Sequence, residues 1–203
     1  MTNIVVIAKE CIPGRVKTRL YPDVTYEQAA ELAAASLADT LAVAAALPAE
    51  RHIIAYDGVI PPPHSEAFEI APQSRGDLDE RLATVFDTLT GPTFLIGMDT
   101  PQITAEDLKM VFPWPQGTDF ILGLTPDGGF WGIGMKVPSG DLIRGVPMSK
   151  DNTGQVQLAR LDETSKTVLL LSELTDVDTI VEAREVAALA PETLFAKTLG
   201  SIL

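Results

Sequence analysis

Ile4-Val5-Val6-Ile7-Ala8, followed at once by Lys9-Glu10-Cys11-Ile12-Pro13-Gly14-Arg15-Val16-Lys17-Thr18-Arg19-Leu20, is the stretch on which the reading of the fold turns. An apolar run without alternation is what a strand buried on both faces shows. Such a strand needs helices on either side of it, which calls for a parallel sheet with helical crossovers. The polar, basic segment that follows Pro13-Gly14 then lies at the carboxyl end of that strand, where open α/β sheets bind their ligands.

The elements further along agree. Thr25 with Gln28 has capping-box spacing, and the Ala- and Leu-rich segment to Leu47 reads as a helix stopped by Pro48. His52 to Tyr56 reads as a second strand, ending at Asp57-Gly58 and Pro61-Pro62-Pro63. Asp77 opens a helix with Leu78, Leu82, Val85, Phe86 and Leu89 on one apolar stripe. Thr93 to Met98 is a third strand, and Thr104 starts a helix expected to end near Pro113. Phe120 to Leu124 and Phe130 to Val137 are strands separated by Asp127-Gly128-Gly129, a pair that can supply an antiparallel element. A helix from Thr153 to Leu161, a strand from Thr167 to Leu171 and a last helix from about Thr179 to Leu189 complete the expected order. The sum is a single α/β domain over residues 1–203, with a mixed, mainly parallel sheet and helices on both faces.

Composition excludes several classes. Hydrophobic content of 46% supports a core, and one cysteine, Cys11, excludes an internal disulfide framework or a multi-cysteine metal site. The N-terminal run Ile4 to Ala8 is too short for a membrane span or a signal segment. A cytoplasmic location is therefore expected. The net charge of −13 argues against nucleic acid and anionic membranes as partners.

Against that charge, Arg15, Lys17 and Arg19 stand out. They alternate, so an extended segment aims all three the same way. Converging cations at a strand end suit a di- or triphosphate, which arginine grips bidentately and lysine as a point charge. Gly14 lets the backbone approach closely. The same spacing also describes a solvated basic loop paired with nearby acids. Gly14 to Thr18 ends in Lys-Thr but lacks the second glycine of a P-loop, and Gly129, Gly132 and Gly134 sit in a strand rather than at a strand-to-helix turn.

The other candidates are carboxylates at strand ends. Asp99, directly after Phe94-Leu95-Ile96-Gly97-Met98, is placed to hold Mg²⁺ or Mn²⁺ with phosphate oxygens completing the shell, or is simply a turn residue. Asp127 is equally a hairpin-turn residue, and Asp176-Val177-Asp178-Thr179 equally a helix N-cap. His52 and His64 form no triad, and Cys11 has no evident base, so nucleophilic catalysis finds no support.

Five motifs, in order, resemble one family over nearly the whole chain. They are Pro13-Gly14-Arg15-Val16-Lys17-Thr18-Arg19-Leu20; Gln73 with Gly76-Asp77-Leu78 and Glu80-Arg81-Leu82; Ile96-Gly97-Met98-Asp99-Thr100-Pro101; Asp127-Gly128-Gly129-Phe130-Trp131; and Asp176-Val177-Asp178-Thr179. They are similar to those of the bacterial selenodomain-associated transferase 1 group, nucleotide-diphospho-sugar transferases with the GT-A fold, whose relatives include guanylyltransferases.

The resemblance implies a nucleotide half over about residues 1–100 and an acceptor half over about 101–203. It implies that Arg15, Lys17 and Arg19 hold phosphates, that the base lies near Lys9 and Gln73, and that Gly14 and Asp77 belong to the nucleotide site. Asp99 would hold the metal with Asp178 as a second ligand. Lys17, Asp99 and Asp127 would be the catalytic set, Asp127 as the general base. Met98, Pro126 and Met148-Ser149-Lys150 depart from the family's pattern, the last two where an acceptor would bind. Three activities follow as expectations: glycosyl transfer from a nucleotide sugar to a small-molecule acceptor, nucleotidyl transfer with loss of pyrophosphate, or nucleotide binding without turnover.

Overall fold

The computed structural model describes residues 1–203. The chain opens with strand β1 (Asn3–Lys9), then helix α1 (Tyr26–Ala46), β2 (His52–Asp57), β3 (Glu69–Pro72), α2 (Leu78–Thr88) and β4 (Thr93–Ile96). It continues with α3 (Ala105–Leu108), β5 (Phe120–Leu124), β6 (Phe130–Met135), α4 (Thr153–Asp162), β7 (Val168–Leu170), α5 (Ile180–Leu189) and α6 (Leu194–Ile202). The seven strands form one sheet in the order β3-β2-β1-β4-β6-β5-β7. Every neighbouring pair is parallel except those made by β6, which runs antiparallel to both β4 and β5. The mixed, mainly parallel sheet expected from the sequence is the one observed.

Both faces are covered because β1 is apolar on both. Ile4, Val6 and Ala8 pack with Ala33, Leu37 and Leu41 of α1, whereas Val5 packs with Leu82, Ala83 and Phe86 of α2 on the other face. Thr25 caps α1 in a capping box with Gln28, as the spacing predicts. At 21 residues α1 is long and apolar enough to cross a membrane by length and composition, but here it is the core helix, with Leu32, Leu37 and Leu41 buried.

Four expectations are corrected. Strand β3 lies outside the expected set: all four of its residues are exposed, so it carries no apolar signal and exists only as a sheet edge beside β2. Helix α6 was also not expected. It packs on the outer side of α1, burying Phe195 and Leu199 with α5's Ala183 and Val186. Helix α3 is capped by a Thr104–Asp107 capping box but stops at Leu108 instead of near Pro113, where tighter turns (Lys109 N–H to Glu106 O, Val111 N–H to Leu108 O) take over and bury Val111 and Phe112. Finally, the segment from Pro13 to Leu20 is not extended. Arg15 N–H donates to Ile12 O, Lys17 has left-handed backbone (φ 46°), and Thr18–Leu20 is a short 3₁₀ turn. Burying Val16 and Leu20 folds the loop down onto the core.

Candidate active site

The carboxyl ends of β1 and β4, the turn between β5 and β6, and the segment before α5 together enclose a cleft of about 760 Å³. Lys9, Arg15, Lys17 and Arg19 line it from the β1 side, Asp99 from β4, Asp127 from the turn, and Asp176 and Asp178 from the last segment. Gln73 reaches it from the end of β3. The three cations of the first loop thus share a cleft although the loop does not alternate. Gly14 and Asp77 are not among its lining residues. Gly14 instead makes the turn, with φ +76°, and Asp77 starts α2 without a side-chain cap bond.

At its centre Lys17 Nζ lies 2.5 Å from Asp99 Oδ1 and also donates to the Val177 carbonyl. The lysine side chain is only 4% exposed, its partner 41%. Beside it Arg19 Nη1 meets Asp178 Oδ2 at 2.6 Å, an exposed pair. Arg15 is exposed and pairs with no acid. Two features hold the last segment here. Val177 N–H donates to Asp99 O at 2.9 Å, and Glu182 accepts from the N–H groups of Asp178 and Thr179. The cap of α5 is therefore built by Thr179 and Glu182, which leaves the Asp178 carboxylate to the cleft.

Asp176, to which the motif assigned no role beside Asp178, lines the cleft as well. Burial, and then repulsion from Asp99, push its carboxyl up to about 8, with Lys17 opposing and Asp127 and Asp178 adding to the rise. The i, i+2 spacing of Asp176 and Asp178 around buried Val177 was the signal available for it. Lys150, Ser149 and Thr153 also line the cleft. Burial first, then Asp99, push the Cys11 thiol up to about 11, which disfavours its thiolate.

Asp127 holds its own turn. Its Oδ1 accepts from Thr125 Oγ1 and from Gly129 N–H, leaving Oδ2 without a hydrogen bond within the protein in a residue that lines the cleft. Gly128 (φ +90°) is required there, because a Cβ would sit 1.9 Å from Asp151 O. Gly154 N–H donates to Gly128 O, which locks this turn to the start of α4.

The donors suit a small hard cation. Asp99 and Asp178 each have one oxygen in an ion pair and a second uncommitted. No three acidic, histidine or cysteine side chains come together to hold a metal by themselves. Magnesium commonly takes only one or two carboxylates, with substrate phosphates supplying the rest.

Fold and cleft place the chain among enzymes with the Rossmann-like architecture of nucleotidyl and sugar transferases. It is similar over 97% of both chains to a Desulfovibrio desulfuricans G20 protein provisionally named a nucleotide-diphospho-sugar transferase, with 26% identity and a TM-score of 0.80. The 2-C-methyl-D-erythritol 4-phosphate cytidylyltransferase of Thermus thermophilus shares the fold at 15% identity, TM-score 0.56, over 94% of this chain and 100% of that one. Rv0371c of Mycobacterium tuberculosis H37Rv, solved in complex with manganese, shares it at 16% identity, TM-score 0.52, over 95% and 98%. No curated protein matches the chain. By family, the chain belongs to the group described as "Uncharacterized protein conserved in bacteria (DUF2064)", whose model matches residues 28–150.

Proposed function

We propose that the chain is a cytoplasmic, metal-dependent nucleotide-diphospho-sugar transferase of the selenodomain-associated transferase 1 type, moving a glycosyl group to a small-molecule acceptor. The observation that carries this reading is the Lys17–Asp99 pair beside Arg19–Asp178 in one strand-end cleft.

Arg15, exposed and unpaired, is the first cation a diphosphate meets. Lys17 stands deeper, and it and the exposed Arg19 donate to oxygens on which charge builds as the bond to the diphosphate breaks. Asp99 and Asp178 would hold Mg²⁺ or Mn²⁺, which supplies Lewis-acid neutralisation of the leaving group. The free Oδ2 of Asp127 is the candidate base for the acceptor hydroxyl, and its turn is fixed by Gly128 against α4 so that the acceptor is held in line.

The exposed Arg15 in the loop directly after β1 favours one second reading, nucleotidyl transfer from a nucleoside triphosphate. The product separates them. Nucleoside diphosphate released from a nucleotide sugar supports glycosyl transfer; pyrophosphate released from a triphosphate supports nucleotidyl transfer. Tight binding with neither product leaves a nucleotide-binding protein without turnover.

A further inference from the structure

The resemblance places the base near Gln73, yet the Gln73 side chain has no donor left to offer it. Its Nε2 donates to Ala8 O at 2.8 Å and to Ala55 O at 2.9 Å. Two carbonyl partners admit only the NH₂ group, so the amide's orientation is dictated by chemistry. Its Oε1 accepts from Arg81 Nη1 at 3.4 Å. Gln73 therefore stitches the ends of β1 and β2 together and presents its oxygen to an arginine.

That arginine is oriented from three sides. Arg81 Nε donates to Gly76 O at 3.1 Å, and Nη1 reaches Gln73 and, at 3.5 Å, Asp57. Nη2 makes no hydrogen bond within the protein, and the side chain, 30% exposed, lines the cleft. A guanidinium held by Nε and Nη1, with two N–H groups to spare on Nη2, is a donor waiting for an acceptor.

Its place on the sheet says which acceptor. The strand order puts Asp57 and Gln73, at the ends of β2 and β3, two and three strands from Asp99 at the end of β4. At ~4.8 Å per strand this is about 10–14 Å, the span from a nucleotide's phosphates across the ribose to its base. Arg81 is thus too far along the edge to serve the phosphates gathered at Lys17.

Resting on the nucleotide reading above, we propose that Arg81 reads the base, donating from Nη2 to a ring carbonyl, and that Gln73 is the positioning residue that holds it. The bases favoured are those with a ring carbonyl, namely guanine, cytosine or uracil. Adenine has no carbonyl, and it sets an amino donor beside its ring-nitrogen acceptors, which faces a guanidinium unfavourably.

The test is calorimetric titration of GDP, CDP, UDP, ADP and inorganic pyrophosphate, with Mg²⁺, into wild type, Arg81→Ala, Arg81→Lys and Gln73→Met. Wild type is expected to bind at least one carbonyl-bearing diphosphate roughly tenfold tighter than ADP. Arg81→Ala and Arg81→Lys bring that nucleotide to the ADP level while pyrophosphate affinity stays within about twofold. Gln73→Met shrinks the same preference without touching pyrophosphate, an effect that mere loosening of the fold would not confine to one base. Unfolding midpoints are recorded for each, and Arg81→Lys carries the test if Arg81→Ala does not fold. A wild type that prefers ADP, or a preference unchanged in the arginine variants, overturns the proposal and leaves the nucleotide reading intact. Equal losses for pyrophosphate and nucleotide make Arg81 a phosphate ligand and overturn it too. A wild type that binds no diphosphate nucleotide sinks both.

Discussion

Lys17 is the residue whose environment is least forgiving. Its ammonium is almost fully covered, and only Asp99 and the Val177 carbonyl meet it. Removing Asp99 strands a buried charge, whereas removing the lysine leaves a half-exposed carboxylate that water can serve. Asp99→Ala is therefore expected to cost about 2 kcal/mol in urea unfolding, Lys17→Met clearly less, and the double variant no more than Asp99→Ala alone. Equal and additive losses would show that the pair is not coupled.

Asp176 gives the cleft a pH signature. Its folded value, about 8, lies above the ordinary 3.8, so the native state holds a proton that the unfolded chain has released across that window. The stability this contributes is complete below about pH 4 and is lost as pH rises through about 8. With chelator present, wild type should lose stability between pH 5 and about 8.5 relative to Asp176→Asn, which lacks that slope. Parallel curves for the two would remove the raised carboxyl from the account.

At this scale Asp99 and the three loop cations were legible, since a strand end fixes where its next residues lie. The pairing of Lys17 with Asp99 was not, because it depends on a left-handed turn set by the burial of Val16 and Leu20. The spent amide of Gln73 was equally hidden: no motif reveals which carbonyls an amide will find.

Among the elements, α6 and the Gly128 turn give sharp tests. Asp39 of α1 accepts from Leu194 N–H at 2.9 Å and Phe195 N–H at 2.8 Å, capping α6 from another helix. Asp39→Ala should cost about 1 kcal/mol in thermal unfolding, as the loss of a helix cap does. An unchanged midpoint would show that the α6 end is held by packing alone. Gly128→Ala places a Cβ against the Asp151 backbone in left-handed conformation, and about 2 kcal/mol of strain is expected. Its acceptor-side geometry should fail while nucleotide binding persists; measured turnover equal to wild type would contradict the clamp. Strand β3 and helix α6 escaped the sequence for different reasons. The first has no buried residue; the second carried a signal, Thr193 as cap and Phe195 and Leu199 on one face, but lies beyond the expected last helix ending at Leu189.

Across the whole molecule, a chain of net charge −13 gathers Lys9, Arg15, Lys17, Arg19 and Arg81 along one strand-end edge. The cleft spans both halves of the chain: the cations and Asp99 come from the first hundred residues, Asp127, Asp176 and Asp178 from the second. That layout was legible because β1 is buried on both faces and so is an interior strand of the sheet, beside β4 at its centre. The measurement that tests it most directly is thermal unfolding with nucleoside diphosphates, triphosphates and nucleotide sugars, with and without Mg²⁺ or Mn²⁺, on wild type, Asp99→Ala and Lys17→Ala. A ligand at ~100 times its dissociation constant adds roughly 2.7 kcal/mol, or about 5–10 °C for a chain this long. A metal-dependent rise of that size is expected for one nucleotide class, absent in both variants relative to their own midpoints. A rise that persists in both variants, or none with any nucleotide, would contradict it.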